Sequence, residues 1–182
     1  PSTPLRVVYE VAAEGWSQWL GAVKFAADGH VAVSITTVAN LTTHACTDHS
    51  QADPPVGPTV DDLAAALADL PPFRVTSPPA DITIYGYRGK HLEWTVPGLR
   101  VVGQGDDREF ADCVDGNLAS WIGTPAFGAF FGYNADPGFT EEFWILDVDG
   151  TRLMIAAERS PGSPAKDVAE QRAILDSIRI EP

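Results

Sequence analysis

The sequence is poor in positive charge. Its 182 residues include 12 Lys plus Arg against 25 Asp plus Glu, which gives a formal net charge of −13. Binding to nucleic acid or to an anionic bilayer depends on clustered Lys and Arg, which replace the counterions of the phosphate groups. The composition therefore predicts no nucleic-acid partner, and it predicts contact with a membrane only through a segment absent from this chain.

Long apolar runs are also missing. No stretch approaches the roughly 18–20 consecutive apolar residues that a membrane-spanning helix needs, and no basic-then-apolar signal segment opens the chain. The sequence begins Pro1-Ser2-Thr3-Pro4 without an initiator Met. We therefore expect that a signal peptide, a lipid anchor or a membrane helix precedes this segment in the longer protein.

Motifs of common enzyme classes are absent as well. The chain has no Gly-x-Ser-x-Gly turn, which exposes the nucleophile of α/β-hydrolases, and no Gly-Lys-Ser/Thr phosphate loop. Gly103-Gln104-Gly105 precedes a run of acidic residues that would repel a phosphate. The sequence thus predicts no catalytic residue and no cofactor, and it leaves the reaction, if there is one, unassigned.

The sequence contains only two cysteines, an even number that allows one disulfide. Cys46 and Cys113 both lie among polar, turn-forming residues, which favours one disulfide in an oxidising compartment over two unpaired thiols. Closing a loop of this length stabilises a fold by about 3–5 kcal/mol in the chain-entropy model. The cysteines therefore predict an extracytoplasmic protein, either secreted or anchored to the cell membrane.

The neighbourhood of Cys46 contains several metal-binding residue types. His44, Cys46, Asp48, His49 and Asp53 lie within ten positions, and imidazole, thiolate and carboxylate groups all bind zinc. A second Cys/His pair is missing, however, and a disulfide would remove the thiolate. A polar loop without a metal is the favoured interpretation.

Turn residues between β-rich runs predict a sheet made of antiparallel hairpins in a single domain, residues 1–182. The predicted turns contain Asp28-Gly29, Gly86-Tyr87-Arg88-Gly89 and Asp149-Gly150. Residues 41–58 and the proline-rich segment before 82 are predicted to be connections. The predicted strands are 5–11, 20–27, 31–38, 82–85, 90–96, 117–122, 142–148 and 151–157.

Two amphipathic helices complete the predicted fold. Thr59 is expected to cap the first helix, which buries Leu63, Leu67 and Leu70. The second is expected to have Ser163 as cap and Pro164 at its first position, and to run to about Ser177. Its expected buried stripe is Val168, Ile174, Leu175 and Ile178. The pattern predicts an α+β fold, an antiparallel sheet with both helices packed on it.

Aromatic residues crowd an irregular stretch after residue 120. Such rings either fill the core of a small sheet or line a ligand groove. The candidate ligand-binding residues are Trp121, Phe130, Phe131 and Tyr133. Trp16 and Trp19, beside a glycine turn, are open to the same two interpretations.

Carboxylates offer a second candidate chemistry. Two acids can catalyse glycoside hydrolysis when they converge on one pocket. Glu141 and Glu142 lie close to the aromatic stretch, but neighbours on a strand point to opposite faces. Asp147-Val148-Asp149-Gly150 is predicted to be a turn and not a calcium loop.

Four stretches of the sequence, 53–63, 86–93, 143–153 and 174–178, carry a family resemblance. Together they resemble a group of actinobacterial extracytoplasmic domains to which no activity is assigned. The resemblance implies an envelope location and no catalytic residue. The hairpin at Gly86 and the closing hairpin and helix are also similar to the Mog1/PsbP-like fold, an antiparallel sheet flanked by helices.

Three functions remain as hypotheses. The favoured one is a non-enzymatic extracytoplasmic domain that binds or senses a small ligand or an envelope protein. The alternative is a hydrolase or carbohydrate-active enzyme that uses acidic residues near an aromatic groove. The third is a purely structural envelope module.

Overall fold

The computed structural model describes residues 5–27, 29–103, 108–123, 131–133 and 136–181, and at 131–133 it describes the backbone alone. Within these ranges the chain is α+β, as the sequence predicts: strands predominate and two α-helices accompany them. The strands are β1 Arg6–Val8, β2 Ser17–Gln18, β3 Gly21–Ala26, β4 Gly29–His44, β5 Asp48–Gln51, β6 Arg74–Ile84, β7 Tyr87–Thr95, β8 Val101–Val102, β9 Glu109–Phe110, β10 Ala119–Gly123, β11 Phe131–Tyr133, β12 Thr140–Val148, β13 Thr151–Arg159 and β14 Arg179–Glu181. The helices are α1 Val60–Ala68 and α2 Ala165–Ser177.

One ten-stranded antiparallel sheet forms the centre of the molecule. Its main path runs β11-β10-β4-β13-β12-β7-β6, and β3 and β5 pair with β4 while β2 pairs with β3. Two small antiparallel ribbons, β1-β14 and β8-β9, lie outside it. Because β4 pairs with four other strands, it connects the β2-β3 edge to the hairpin of β12 and β13.

The β12-β13 hairpin confirms the strongest turn prediction. Asp149 and Gly150 both have positive φ, 50° and 84°, which is the conformation of a two-residue type I′ turn. The Gly150 N–H donates to Asp147 Oδ1 at 2.9 Å. Asp147 therefore stabilises the turn, and the turn fixes the register of both strands.

The sequence predicts a surface connection at residues 41–58, and this prediction is wrong for the end of β4 and for β5, Asp48–Gln51, which pairs with it. β4 continues to His44, and Leu41 and Thr42 are buried. Thr42 Oγ1 donates to the backbone oxygen of Ala119 in β10 at 2.6 Å. The polar composition suggested a loop, but β-branched threonine suits a strand, and its hydroxyl has a partner more than seventy residues away in the chain.

The segment before residue 82 is also a strand. β6 starts at Arg74 and passes through Pro78-Pro79 as an edge strand, and its register with β7 shifts between Val75 and Ala80. Edge strands tolerate proline because one side of their backbone needs no partner. The following turn consists of Tyr85 and Gly86, so the predicted turn at 86–89 is wrong and β7 begins at Tyr87.

Both predicted helices are present. In α1 the Thr59 side chain accepts from the Asp62 N–H and Asp62 accepts from the Thr59 N–H, which forms a capping box. Ser163 does not cap α2: Pro164 occupies the cap position, and Ser163 Oγ donates to the backbone oxygen of His30 at 2.8 Å. Ile174 and Leu175 are buried as expected, whereas Val168 is half-buried.

The sheet has a core on each face. Alternate residues of β12 and β13 point to opposite faces, as the strand period requires. On one face Phe143, Ile145 and Met154 belong to a core that includes α1, and on the other Leu146 and Ile155 belong to a core that includes α2. We refer to these as the α1 face and the α2 face.

Cys46 and Cys113 form the predicted disulfide. Both belong to the α1-face core, Cys46 as a buried member and Cys113 packed against it. The bridge joins the end of β4 to the segment between β9 and β10. In the described ranges, no helix is long and apolar enough to cross a membrane.

Candidate functional site

A continuous row of paired residues crosses the α1 face where five strands lie side by side. Trp94 pairs with Glu141, Glu141 with Glu158, Glu158 with Ala32, and Ala32 with Val23. Directly opposed side chains in an antiparallel sheet share a face, with Cβ atoms about 4.5–5.5 Å apart. The row therefore places two glutamates next to each other among apolar side chains.

Four members of this row, Glu141, Glu158, Ala32 and Val23, form the floor of a cavity of about 370 Å³. Rings surround it: Trp121 is buried at 1% exposure, while Trp19 and Phe25 are 60% and 72% exposed. The described lining residues include no Lys and no Arg. They are Ser17, Gln18, Trp19, Val23, Phe25, His30, Ala32, Trp121, Glu141 and Glu158.

Neutral donors contact both carboxylates of the floor. Trp94 Nε1 donates to Glu141 Oε2 at 2.6 Å, and Ser34 Oγ donates to Glu158 Oε1 at 2.6 Å. From the α2 face, Gln171 Nε2 donates to the backbone oxygen of Glu158 at 2.8 Å. The carboxylates are thus held in fixed positions by the sheet and its flanking side chains.

Desolvation dominates the electrostatics of the cavity. Burial raises the pKa of Glu158 above its ordinary value, although the Ser34 hydrogen bond opposes the change. Burial also lowers the pKa of His30, against the opposing charge of Asp136. At neutral pH the cavity therefore contains a neutral imidazole and an acid that retains its proton more strongly than a free glutamate.

His30 lies at one side of the floor, between two aromatic rings. Its ring centroid is 5.7 Å from that of Phe25 and 5.3 Å from that of Phe139. Nδ1 is 3.1 Å from Ser160 Oγ, which also accepts the His30 backbone N–H at 3.2 Å. When Ser160 donates to Nδ1, the neutral ring carries its proton on Nε2, so His30 is a weak polar donor and not a cation.

Glu142, the neighbour of Glu141, belongs to the opposite face, as the strand period predicts. It accepts hydrogen bonds from Arg172 and, at 2.9 Å, from His91 Nε2. Burial acts to raise the pKa of Glu142, but the hydrogen bonds from Arg172 and His91 outweigh it, so the pKa is lowered. The predicted acidic pair of Glu141 and Glu142 therefore does not converge on one pocket.

The candidate aromatic residues are only partly described. Trp121 is both a core residue and a wall of the cavity. Phe131 and Tyr133 lie in β11, which pairs with β10, but their side chains fall outside the described part of the chain, as does Phe130. Their assignment to a ligand site stays a prediction.

The histidines near Cys46 form local contacts. His44 Nδ1 accepts the backbone N–H groups of Cys46 and Thr47, both at 3.1 Å, and His49 Nε2 is 2.9 Å from the backbone oxygen of Ala45. Among the residues that the structure describes, no group of three or more His, Cys, Asp or Glu side chains could hold a metal ion.

Glu158 is a cavity residue that was not among those predicted from the sequence. The signal was present: in a hairpin that turns at Asp149-Gly150, Val148 faces Thr151, and counting outward places Glu141 opposite Glu158. Phe25 and His30 were missed for another reason. They reach the cavity only because β4 pairs with β13, a contact between distant segments that no local pattern indicates.

Comparison with protein-family models, with curated proteins and with solved structures finds no match to this chain. The geometry of the cavity is therefore the basis for assigning a function.

Proposed function

We propose that this chain is an extracytoplasmic domain that binds a small organic ligand, without chemical turnover, in the cavity on the α1 face. The observation that carries the proposal is the cavity itself: aromatic and aliphatic walls around a few fixed polar groups. Ligand sites typically combine these features in volumes of about 300–1,000 Å³, and this cavity has about 370 Å³.

Two exposed rings at the cavity add support. A folded domain can expose single apolar side chains without consequence, but Trp19 and Phe25 both line the same cavity and are both mostly exposed. Aromatic side chains provide a large contact area with few rotatable bonds. A ligand would bury the outer faces of both rings.

The proposed location follows from the disulfide. A bridge between Cys46 and Cys113 fits an oxidising compartment. The resemblance to actinobacterial envelope domains and to the Mog1/PsbP-like fold belongs to the same proposal. An envelope protein that presents the ligand, or senses its binding, is the partner we expect.

The proposal can be tested with three one-ring probes: 2-phenylethylamine, 2-phenylethanol and phenylacetate. Their polar groups are cationic, neutral and anionic, respectively, so the set tests each ligand charge against the polar residues of the cavity floor. We expect at least one probe to shift the indole N–H resonances of Trp19 and Trp121 saturably in ¹⁵N-labelled protein, with the resonances assigned through Trp→Phe variants.

Two cavity variants, Val23→Phe and Phe25→Ala, and one control variant, Val11→Phe, test where the probes bind. Val23→Phe should fill the cavity and weaken binding at least tenfold, whereas Val11→Phe, at an exposed valine outside the cavity, should not. Phe25→Ala removes an exposed ring with little risk to folding. Absence of saturable shifts with all three probes, or affinities unchanged by Val23→Phe and Phe25→Ala in folded protein, would contradict the proposal.

One observation favours an enzyme as the second candidate. Glu141 and Glu158 are adjacent carboxylates, and the pKa of Glu158 is raised by burial, as a general acid of a glycosidase requires. Hydrolysis of a panel of 4-nitrophenyl glycosides tests it. Glu158→Gln should abolish the activity and Glu142→Gln, on the opposite face, should retain it; activity on none of the glycosides would reject this candidate.

A further inference from the structure

Glu158 is the more accessible of the two carboxyl groups in the cavity floor. Glu141 is 1% exposed, whereas Glu158 is partly exposed and lines the cavity. We infer that the cavity binds an uncharged organic ligand, an apolar body with a hydroxyl or carbonyl group, and that Glu158 takes up a proton when the ligand binds. This inference rests on the proposed function, because it specifies the ligand and the pH control of the same cavity.

The first step is the position of the Glu158 carboxyl group. Its Oε1 accepts a hydrogen bond from Ser34 Oγ at 2.6 Å, and Ser34 lies two residues along β4 from Ala32, which pairs with Glu158. Oε1 can accept this bond whether the carboxyl group is charged or neutral. A proton on the other oxygen, Oε2, turns the group into a hydrogen-bond donor, which suits the hydroxyl or carbonyl oxygen of a ligand.

The second step is the solvation of this carboxyl group. Burial raises the pKa of Glu158 in the ligand-free domain, and the floor around it includes the aliphatic side chains of Val23 and Ala32. A ligand body that covers the floor would exclude solvent from the carboxyl group and favour the neutral acid further. Ligand binding and proton uptake are then linked. The affinity is greatest below the pKa of Glu158 in the ligand-free domain and falls as the pH rises through it.

The same desolvation favours an uncharged ligand over a charged one. An ammonium group gains most from a charged Glu158, the form that burial disfavours. A carboxylate ligand would meet neither Lys nor Arg among the described lining residues. A hydroxyl or carbonyl group instead pairs with the neutral acid, and no charge has to be buried.

Two other titratable residues line the cavity, Glu141 of β12 and His30 of β4, and the other lining residues in the described ranges are uncharged. Burial lowers the pKa of His30, and the charge of Asp136 opposes this change. Asp136 is itself 2.6 Å from Arg108. The imidazole therefore stays neutral to a lower pH than a free histidine, and a substitution of Glu158 alone separates its proton from those of its neighbours.

Calorimetry with 2-phenylethanol between pH 5 and pH 8 tests the linkage. Wild type should bind the alcohol at least about fivefold more tightly at pH 5 than at pH 8, since a rise of one unit in the pKa of Glu158 on binding corresponds to a tenfold change in affinity. At the pH where the affinity changes most, titrations in two buffers of different ionisation enthalpy should show net proton uptake. This second measurement needs no substitution.

Two variants assign the proton. Glu158→Gln is a permanent counterpart of the neutral acid, so it should bind the alcohol at pH 8 about as tightly as wild type binds it at pH 5, with little change in between. Glu142→Gln is the matched control, because it removes a carboxylate from the opposite face and should keep the wild-type pH dependence.

Each outcome has one interpretation. An affinity for the alcohol that does not change with pH, or binding without proton uptake, overturns the inference and leaves the proposed function intact. A pH dependence that persists in Glu158→Gln also overturns it, because another group would then titrate. Tighter binding of 2-phenylethylamine or phenylacetate than of the alcohol at pH 7 overturns the uncharged ligand class. If none of the three probes binds, the inference and the proposed function fail together.

Discussion

On the α2 face the carboxylates of Glu142, Asp167 and Glu170 have cationic partners, whereas on the α1 face the described hydrogen bonds to Glu141 and Glu158 come from neutral donors. The same strand, β12, contributes one glutamate to each environment. The two faces therefore allow carboxylates that contact cationic side chains to be compared with carboxylates that accept hydrogen bonds from neutral donors.

The ion pairs indicate a structural role for the carboxylates of the α2 face, whereas for those of the α1 face we propose a role in binding. Ion pairs on the α2 face connect strands to the helix: Arg172 of α2 contacts Glu142, and Lys24 of β3 contacts Asp167 and Glu170. Arg172 also lies 6.0 Å from the ring centroid of Trp144. The corresponding position on the α1 face is a cavity that Glu141 and Glu158 line.

The largest expected effect comes from the disulfide, which belongs to the α1-face core alone. The double variant Cys46→Ala/Cys113→Ala should lose about 3–5 kcal/mol of unfolding free energy, because the unfolded chain regains the entropy of a long loop. Denaturant unfolding measures this loss. Hydrogen exchange should show the amides of β10 less protected than those of α2, and equal loss on both sides would show that the faces are not independent.

The second effect breaks the ion pairs of the α2 face. Glu142→Gln should cost about 1–3 kcal/mol at pH 7, because two charge-assisted hydrogen bonds are weakened and Arg172 loses its counterion. The folded-state pKa of Glu142 is lowered, so its contribution is present above the unfolded pKa and is lost as the pH falls through the folded value. The stability gap between wild type and variant should therefore close in acid, and a gap that widens in acid would contradict this account.

Much of the fold could be predicted because its signals are local. Asp149-Gly150 defines a hairpin, and Thr59 with Asp62 defines a helix start, through contacts within three or four residues. The end of β4 and the start of β6 could not be predicted in this way. The polar composition around Thr42 and the proline at position 78 indicated loops, and only pairing with remote strands makes these segments parts of the sheet.

The same distinction between local signals and pairing of remote strands applies to the candidate site. The hairpin register places Glu141 opposite Glu158, so the acidic pair follows from the sequence once the turn is known. Val23, Ala32 and Trp121 join it through the pairing of β4 with β13, β3 and β10, which depends on the topology of the whole sheet.

The smallest effect, and the sharpest for the comparison, is that of Glu158→Gln. Because the pKa of Glu158 is raised in the folded protein, the wild-type side chain contributes stability below its unfolded pKa, and this contribution is lost as the pH rises through the folded value. A neutral amide avoids the cost of burying charge and still accepts the Ser34 hydrogen bond, so the variant should be more stable than wild type by about 1 kcal/mol at pH 8. Below the unfolded pKa of Glu158, wild type and variant should have the same melting temperature.

Melting temperatures of wild type, Glu158→Gln and Glu142→Gln from pH 4 to pH 8 give the comparison directly. Both stability differences should grow with pH, with opposite signs. A Glu158→Gln variant less stable than wild type at pH 8 would contradict this account, because it would show that the folded protein stabilises the wild-type carboxylate.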